Sequence, residues 1–203
     1  WLGSDTTPNQ RKIAAQKAKQ LIEGVKGIKN PFLLLRCPWC SAQMGPIKYS
    51  RGKKPSFAPN CIGYERIANH VNFKCPDSKC EFHNEKLPIY VIDDDIYEKC
   101  PTLIIGTVDK FAQLAWEPRA KKLFGLSEEG KRINPPPSLI IQDELHLITG
   151  PLGSMSGIYE SIVELLCLDK QNNKTIHPKL VCSTATIRRY KKQIKGLYNR
   201  DKS

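Results

Sequence analysis

Two adjacent carboxylates, Asp143 and Glu144, follow directly after a short apolar strand that the sequence predicts over residues 139–141. Open α/β sheets place their ligands at the C-terminal edge of the strands. Phosphoryl transfer needs one carboxylate near Mg²⁺ and a polar group that positions or deprotonates the attacking water. Asp143 would be the carboxylate on the metal side, and Glu144 the one on the side of the attacking water. A strand that runs into an acidic turn has the same sequence, and the pair alone favours that simpler interpretation.

Two pairs of cysteines have the spacing of metal ligands. Cys37 and Cys40 form a C-x₂-C pair, and Cys75 and Cys80 form a C-x₄-C pair, with 34 residues between the pairs. Thiolates at these spacings let two tight turns close tetrahedrally on one zinc ion. The intervening segment is longer than in the commonest zinc patterns, but it can hold a hairpin. The sequence therefore predicts a structural zinc site, with three spare ligands that could each replace one of the four: Cys61, His70 and His83.

The other cysteines, Cys100, Cys167 and Cys182, lie in or beside apolar segments and are predicted to be core residues. A C-x₂-C pair also suits a redox dithiol, but the thioredoxin-like βαβ pattern is missing around it. The carboxylate pair of a phosphoryl-transfer site indicates a reducing cytoplasm, where closely spaced cysteines are more often metal ligands than disulfides.

Two further segments flank the carboxylate pair. Residues 101–111 predict a strand that ends in a turn at Thr107, and residues 179–186 predict a strand that ends in Ser183-Thr184-Ala185-Thr186. With Asp143-Glu144-Leu145-His146 between them, this order resembles the first RecA-like domain of superfamily 2 helicases. Residues 107–112, 143–154 and 183–189 are similar, in finer detail, to the helicase subunits of DISARM, a bacterial phage-defence system.

This resemblance implies an ATP-dependent DNA helicase or translocase in the full-length protein, with ATP and Mg²⁺ as cofactors. Asp143 would bind Mg²⁺ through water, Glu144 would position or deprotonate the hydrolytic water, and His146 would transmit the nucleotide state. Its partners in that coupling would be the motif residues Thr184, Ala185 and Thr186. For His146 alone, a satisfied core histidine is the competing interpretation.

The resemblance also implies that Thr107, with Asp109 and Lys110 beside it, contacts nucleic-acid phosphates. Val108-Asp109 stands where the family commonly has Pro-Gly, so this contact departs from the family pattern, and a turn-stabilising hydroxyl explains Thr107 nearly as well. The phosphate-binding loop G-x-x-x-x-G-K-[ST] occurs nowhere in the 203 residues. We therefore expect this chain alone to be inactive, and we expect the second RecA-like domain to be needed.

The net charge of +12 is concentrated at the two ends of the chain. Residues 1–36 carry seven Lys/Arg against two acids, and residues 151–203 carry ten against four. Clustered cations suit a DNA phosphate backbone, and Arg188 and Arg189 are the predicted contacts near the C-terminal end. An ordinary solvated helix face is the alternative for either end. No apolar stretch is long enough to cross a bilayer, so no membrane partner is predicted.

The predicted fold class is α/β: a partial RecA-like parallel sheet with helices, which carries an inserted zinc-ribbon-like module. Residues 1–36 would give a helix, to about Gly27, and a strand over 32–35. Residues 37–86 would be the inserted four-cysteine module. Residues 87–203 would form the RecA-like part, with strands at 87–92, 103–105, 139–141 and 179–182, and helices at 157–168 and 187–198. Asp93–Asp95 is predicted as a loop, and 117–137 as a surface connection.

A chain that begins at Trp1 is expected to be part of something larger, and other defence-complex subunits are among its expected partners. The leading hypothesis is an ATP-dependent helicase or translocase in phage defence. The alternative is a zinc-containing module that binds nucleic acid or protein, in which the RecA-like part is only a scaffold. The near-neutral charge of residues 37–100, with nine Lys/Arg against eight acids, favours a stapling or protein-contact role for the module, while the basic turn at Arg51, Lys53 and Lys54 keeps DNA binding open.

Overall fold

The computed structural model of the chain describes residues 7–49, 55, 57–107, 110, 117–144, 150–171, 174–183 and 195, with only the backbone for 150–156 and 171. Contacts divide the chain into two compact units, residues 1–107 and 108–203. The described elements are short helices and four two-stranded sheets. The chain is thus of mixed helix and strand type, and the two units are described separately.

Helix α1 (Arg11–Glu23) opens the first unit and buries a small apolar face. Ala14, Ala18 and Leu21 recur at four- and three-residue steps, so they lie on one face of the helix. The helix ends earlier than the predicted Gly27, because Gly24 adopts a left-handed conformation with φ of 75° and donates its N–H to the last turn. Val25 consequently lies outside the helix and is exposed.

The cysteine-rich segment supplies two antiparallel pairs. Strand β1 (Gly45–Pro46) pairs with β2 (Cys61–Ile62), and β3 (Tyr64–Ile67) pairs with β4 (His70–Phe73). Helix α1 packs across β2, β3 and β4. Helix α1 and the cysteine-rich segment therefore share one hydrophobic core.

Three aromatic rings form the centre of this core. Phe32, Tyr64 and Phe73 meet edge to face, with ring centroids 5.1 to 5.7 Å apart, in the arrangement that aromatic pairs prefer. The Tyr64 hydroxyl donates to the Leu34 carbonyl oxygen at 2.8 Å, and burial raises the pKa of Tyr64 to about 12. The buried phenol is thus hydrogen-bonded and neutral at ordinary pH.

A short 3₁₀ helix (Glu81–His83) follows the second cysteine pair, and helix α2 (Asp93–Lys99) follows residues 87–92. The acidic triplet predicted as a loop is instead the first turn of α2. Carboxylates are favourable there because they face the positive end of the helix dipole. The prediction of Asp93–Asp95 as a loop was therefore wrong, because three carboxylates stabilise the start of this helix.

Arg11 joins the beginnings of the two helices. Its backbone N–H donates to Asp94 Oδ2 at 3.0 Å, and its guanidinium bonds Asp95 Oδ1 at 2.5 Å and also Glu98. Lys99 and Arg11 together lower the pKa of Glu98 to about 2. Residues more than 80 positions apart are therefore held together at one side of the unit.

Three strands predicted in the first unit, at residues 32–35, 87–92 and 103–105, are not formed. Leu33 has a left-handed φ of 57°, which interrupts residues 32–35. Between residues 87 and 92, Pro88 has no N–H to donate, and Leu87 makes a single backbone bond to Phe73 at 2.7 Å. Leu103 and Ile105 are exposed and lie in no named strand either. Apolar runs at these places pack into the core or lie at the surface without sheet pairing.

The second unit contains the parallel pair that the sequence predicted. Strand β5 (Leu139–Gln142) pairs with β8 (Lys179–Cys182), in a register that runs from Leu139↔Lys179 to Gln142↔Cys182. Helix α3 (Gly150–Leu166) lies between them in sequence, as in a crossover connection, and a small hairpin of β6 (Asp169–Gln171) and β7 (Lys174–Ile176) follows it. In the described residues this is the one parallel pair, so a full RecA-like parallel sheet is not shown.

The connection predicted over 117–137 has structure of its own. It contains a 3₁₀ helix (Pro118–Phe124) that buries Ala120 and Phe124, and an isolated bridge between Leu126 and Arg132. Arg132 donates to the carbonyl oxygens of Leu166 and Leu168 at 3.1 and 2.9 Å. It thereby satisfies carbonyls at the end of α3 that have no partner within the helix.

Candidate metal centre and carboxylate edge

The structure brings the four predicted cysteines into one cluster. The sulfur atoms of Cys37, Cys40, Cys75 and Cys80 all lie within 4.8 Å of one another. The sulfurs of Cys37 and Cys80 are 4.0 Å apart, and those of Cys40 and Cys75 are 3.3 Å apart. Four thiolates bound tetrahedrally to zinc have sulfurs about 3.8 Å apart. The cluster therefore fits a metal ion such as zinc. In both of these sulfur–sulfur contacts, one cysteine comes from the C-x₂-C pair and the other from the C-x₄-C pair.

Local backbone bonds give each cysteine pair its turn. The Cys37 carbonyl oxygen accepts the N–H of Ser41 at 2.8 Å, and Ser41 adopts a left-handed φ of 64°. In the second turn the Cys80 N–H donates to the Asp77 carbonyl oxygen at 3.0 Å. These turns point the side chains of each pair towards the same place, which is why short spacings predict metal ligands.

Burial shapes the acidity of the thiols. Burial raises the pKa of Cys75 to about 12 and also raises the pKa of Cys80. The pKa of Cys37 is lowered: burial opposes ionisation there, but backbone N–H groups of Cys40 and Trp39 stabilise the thiolate. Thiolates gathered this closely repel one another unless a cation lies between them, and zinc supplies that charge while displacing the thiol protons.

The three spare ligands have other environments. Cys61 is in the core, where burial raises the pKa of its thiol to about 11. His70 Nδ1 lies 3.9 Å from Asp95 Oδ1, and His83 Nδ1 is 3.1 Å from the carbonyl oxygen of Cys75. Among the described residues, the cluster thus consists of the four cysteines that the spacing predicted. His83 lies beside the cluster, within hydrogen-bonding distance of the Cys75 backbone.

The remaining cysteines are divided between the core and the surface. Cys167 is buried as predicted, and burial raises the pKa of its thiol to about 11. Cys182 is half-buried on β8, and Cys100 is exposed. The prediction for Cys100 was wrong because it lies at the end of α2 with a left-handed φ of 46°, which turns the chain away from the core.

Asp143 and Glu144 follow β5 directly and are both exposed. The Glu144 N–H donates to Asp143 Oδ1 at 2.9 Å, and Glu144 has a left-handed φ of 54°. The Ser183 N–H donates to the Gln142 carbonyl oxygen at 2.8 Å, so the ends of β5 and β8 lie side by side. The predicted residues His146, Thr184, Ala185 and Thr186 lie outside the described residues.

Nucleic-acid contacts were predicted at five residues, and two of them are described. Thr107 is exposed. The Lys110 side chain is 1% exposed, so its ammonium group is not presented to solvent. Asp109, Arg188 and Arg189 lie outside the described residues. A phosphate contact by Lys110 would require its side chain to become accessible.

The sequence did not predict the hydrogen bond between the side chains of Gln142 and Glu160. Gln142 Nε2 donates to Glu160 Oε1 at 2.7 Å, which links the end of β5 to α3, and burial raises the pKa of Glu160. Its signal in the sequence is a polar residue at the last position of an apolar strand. A second missed contact is Asn60, whose Nδ2 donates to the Ile22 carbonyl oxygen at the end of α1.

The geometry therefore defines a chain of mixed helix and strand type, with a cluster of four cysteines that could hold a metal ion in one unit and a carboxylate pair after a parallel strand in the other. No protein-family model matches the chain. It is similar to the DISARM protein DrmA of Bacillus paralicheniformis, with 31% identity over 232 residues. That match covers 98% of this chain and 20% of DrmA, so the chain spans about a fifth of the relative's length.

No helix in the described part of the chain is both long and apolar enough to cross a membrane.

Proposed function

We propose that the intact protein containing this chain acts in phage defence as an ATP-dependent DNA helicase or translocase. The similarity to DrmA, a protein named for DISARM, supports the defence role. The carboxylate pair at the edge of the parallel strands supports the nucleotide chemistry, and it is the observation that carries the proposal. The chain itself has no phosphate-binding loop sequence, so we propose that it does not hydrolyse ATP alone.

In this proposal Asp143 holds Mg²⁺ through water and Glu144 orients or deprotonates the hydrolytic water. His146 couples the nucleotide state to Thr184 and Thr186, on either side of Ala185. The bond between the Ser183 N–H and the Gln142 carbonyl oxygen supports this arrangement, because it joins the residue before the coupling motif to the residue before the carboxylates.

DNA would be bound through its phosphates by Thr107, Asp109, Lys110, Arg188 and Arg189, in concert with the second RecA-like domain and further defence subunits in the cytoplasm. The four cysteines would hold a structural zinc ion, which stabilises the first unit. We propose that residues 87–203 belong to the RecA-like part and that 37–86 form the zinc-binding module.

The test is Glu144→Gln in the intact protein. The amide keeps the size of the side chain but cannot accept a proton, so we expect ATP turnover to fall by about a hundredfold or more while ATP affinity stays within a few-fold. Asp143→Ala should in addition weaken Mg²⁺-dependent nucleotide binding. Glu128→Gln, which changes an exposed carboxylate in the same unit, is the control and should retain wild-type turnover.

Wild-type turnover in Glu144→Gln would mean that this pair is not the hydrolytic centre. The zinc-containing binding module, with a RecA-like scaffold and no ATPase activity of its own, would then be the better description.

A further inference from the structure

Trp39 belongs to the turn that carries the first cysteine pair. It lies between Cys37 and Cys40 in the sequence, and its side chain is 63% exposed. Phe82, which follows the second cysteine turn, meets it edge to face, with ring centroids 5.7 Å apart and an interplanar angle of 76°. One neighbour therefore fixes the orientation of the indole while much of its surface remains in solvent.

Arg36 lies on the same turn, one residue before Cys37. Its Nη1 donates to the Ser41 carbonyl oxygen at 3.1 Å, and the residue is exposed. The guanidinium carries further donors than this one bond uses. A fixed cation and a fixed aromatic ring are thus held by one five-residue turn.

The charge of the first unit favours an anionic partner for this turn. Residues 1–107 carry 16 Lys/Arg against 10 Asp/Glu. Four of these acids are in α2, where Asp94, Asp95 and Glu98 bond Arg11. Without the four acids of α2 and the cations Arg11 and Lys99 that pair with them, residues 1–107 carry 14 Lys/Arg against 6 acids.

We propose that Trp39 and Arg36 form a contact for single-stranded nucleic acid, in which a base stacks on Trp39 and Arg36 bonds a phosphate. Sites that bind single strands combine aromatic platforms with cationic groups and are tolerant of sequence. This contact extends the DNA binding of the proposed function, and it does not require ATP hydrolysis. It gives the cysteine-rich segment a ligand of its own besides its stabilising role.

The experiment measures binding of a fluorescently labelled 15-nucleotide dT strand to the whole chain without nucleotide. Trp39→Ala should weaken binding about tenfold, because one stacked base contributes at this level. Trp39→Phe should recover most of the affinity. The control Ile67→Ala, which changes another exposed apolar residue of the same unit, should bind as the wild type does.

Two further measurements separate stacking from charge and from misfolding. On an abasic strand of equal length, wild type and Trp39→Ala should bind alike, because no base is present to stack. Arg36→Gln should lower the salt dependence of binding by about one phosphate contact, whereas Trp39→Ala should leave it unchanged. Zinc content and the circular dichroism spectrum of each variant confirm that the turn remains folded.

With Trp1 and Trp116 replaced by Phe, Trp39 is the one remaining indole, and the dT strand should quench its fluorescence. The proposal is overturned if this quenching is absent, if Trp39→Ala binds dT as the wild type does, or if it loses equal affinity for dT and abasic strands. Such outcomes would assign the turn to protein contact. They would leave the ATPase test of Glu144 unaffected.

Discussion

The two units of this chain differ in how far their apolar residues are buried. In residues 1–107 one continuous core joins α1, the hairpin strands and three of the four clustered cysteines. In the described part of residues 108–203, apolar residues on α3 and β5 remain exposed, with Ile158, Leu165 and Ile141 at 62%, 66% and 62%. Parallel strands are normally covered on both faces. The comparison shows that apolar periodicity predicts an element, but not what covers it.

The strongest test of this comparison is removal of the metal centre. Cys75→Ser, or a strong chelator, should lower the melting temperature of the first unit by more than about 10 °C, because metal binding contributes directly to folding in so small a unit. Zinc analysis should give about one ion per chain before treatment. The measurement is a thermal melt followed by circular dichroism, together with metal content.

Cys100→Ser is the matched control, since this exposed cysteine lies outside the cluster. It should leave both the melting temperature and the metal content unchanged. If the metal-free chain stays folded and its melting temperature is unaltered, the metal does not stabilise the first unit.

A smaller effect is expected from Arg132→Ala in the second unit. The substitution removes the donor to the Leu166 and Leu168 carbonyl oxygens and its bond to the Phe124 carbonyl oxygen. We expect a loss of about 1 to 2 kcal/mol in the free energy of unfolding, measured by urea denaturation. Arg119→Ala, whose ion pair with Glu117 is local and exposed, should cost less than about 0.5 kcal/mol. Equal losses for the two variants would contradict the capping role of Arg132.

The smallest expected effect is the pH dependence contributed by Glu98. Lys99 and Arg11 lower its pKa from 4.5 to about 2, so its contribution to stability is present above pH 4.5 and is lost as the pH falls towards 2. Glu98→Gln should flatten the stability curve in that window relative to the wild type. Glu85→Gln, an exposed carboxylate in the same unit, corrects for acid-induced release of metal from the cysteines. If Glu98→Gln and Glu85→Gln follow the same curve, the Arg11 contact does not stabilise the fold.

The sequence was sufficient for features that depend on short spacing. The clustering of the four cysteines and the strands predicted over 139–141 and 179–182 follow from local pattern and are confirmed. The helix predicted over 157–168 is formed as Gly150–Leu166, so it begins seven residues earlier and ends two residues earlier than predicted. Features set by tertiary contacts were not predictable. Asn60 donates to the Ile22 carbonyl oxygen at the end of α1 from 38 positions away, and no local spacing signals a contact between such distant residues. Leu33 has a left-handed φ, which leucine rarely adopts and which its neighbouring residues do not signal.

The surroundings of Asp143 and Glu144 were predictable only in part. The strand that ends at Gln142 was predicted, but its link to Glu160 depends on how α3 packs on β5, which no spacing encodes. The roles of Asp143 and Glu144 rest on resemblance and remain a prediction.

The contacts of the first unit are nested along the chain. The cysteine cluster joins residues 37 and 80, and the Arg11 bonds to Asp94 and Asp95 enclose that whole loop. Closing the inner loop brings the ends of the outer one nearer together and lowers the chain entropy that its closure must cost. We therefore expect capture of the metal to precede docking of the two helices, so that the order of assembly is determined by how the loops enclose one another.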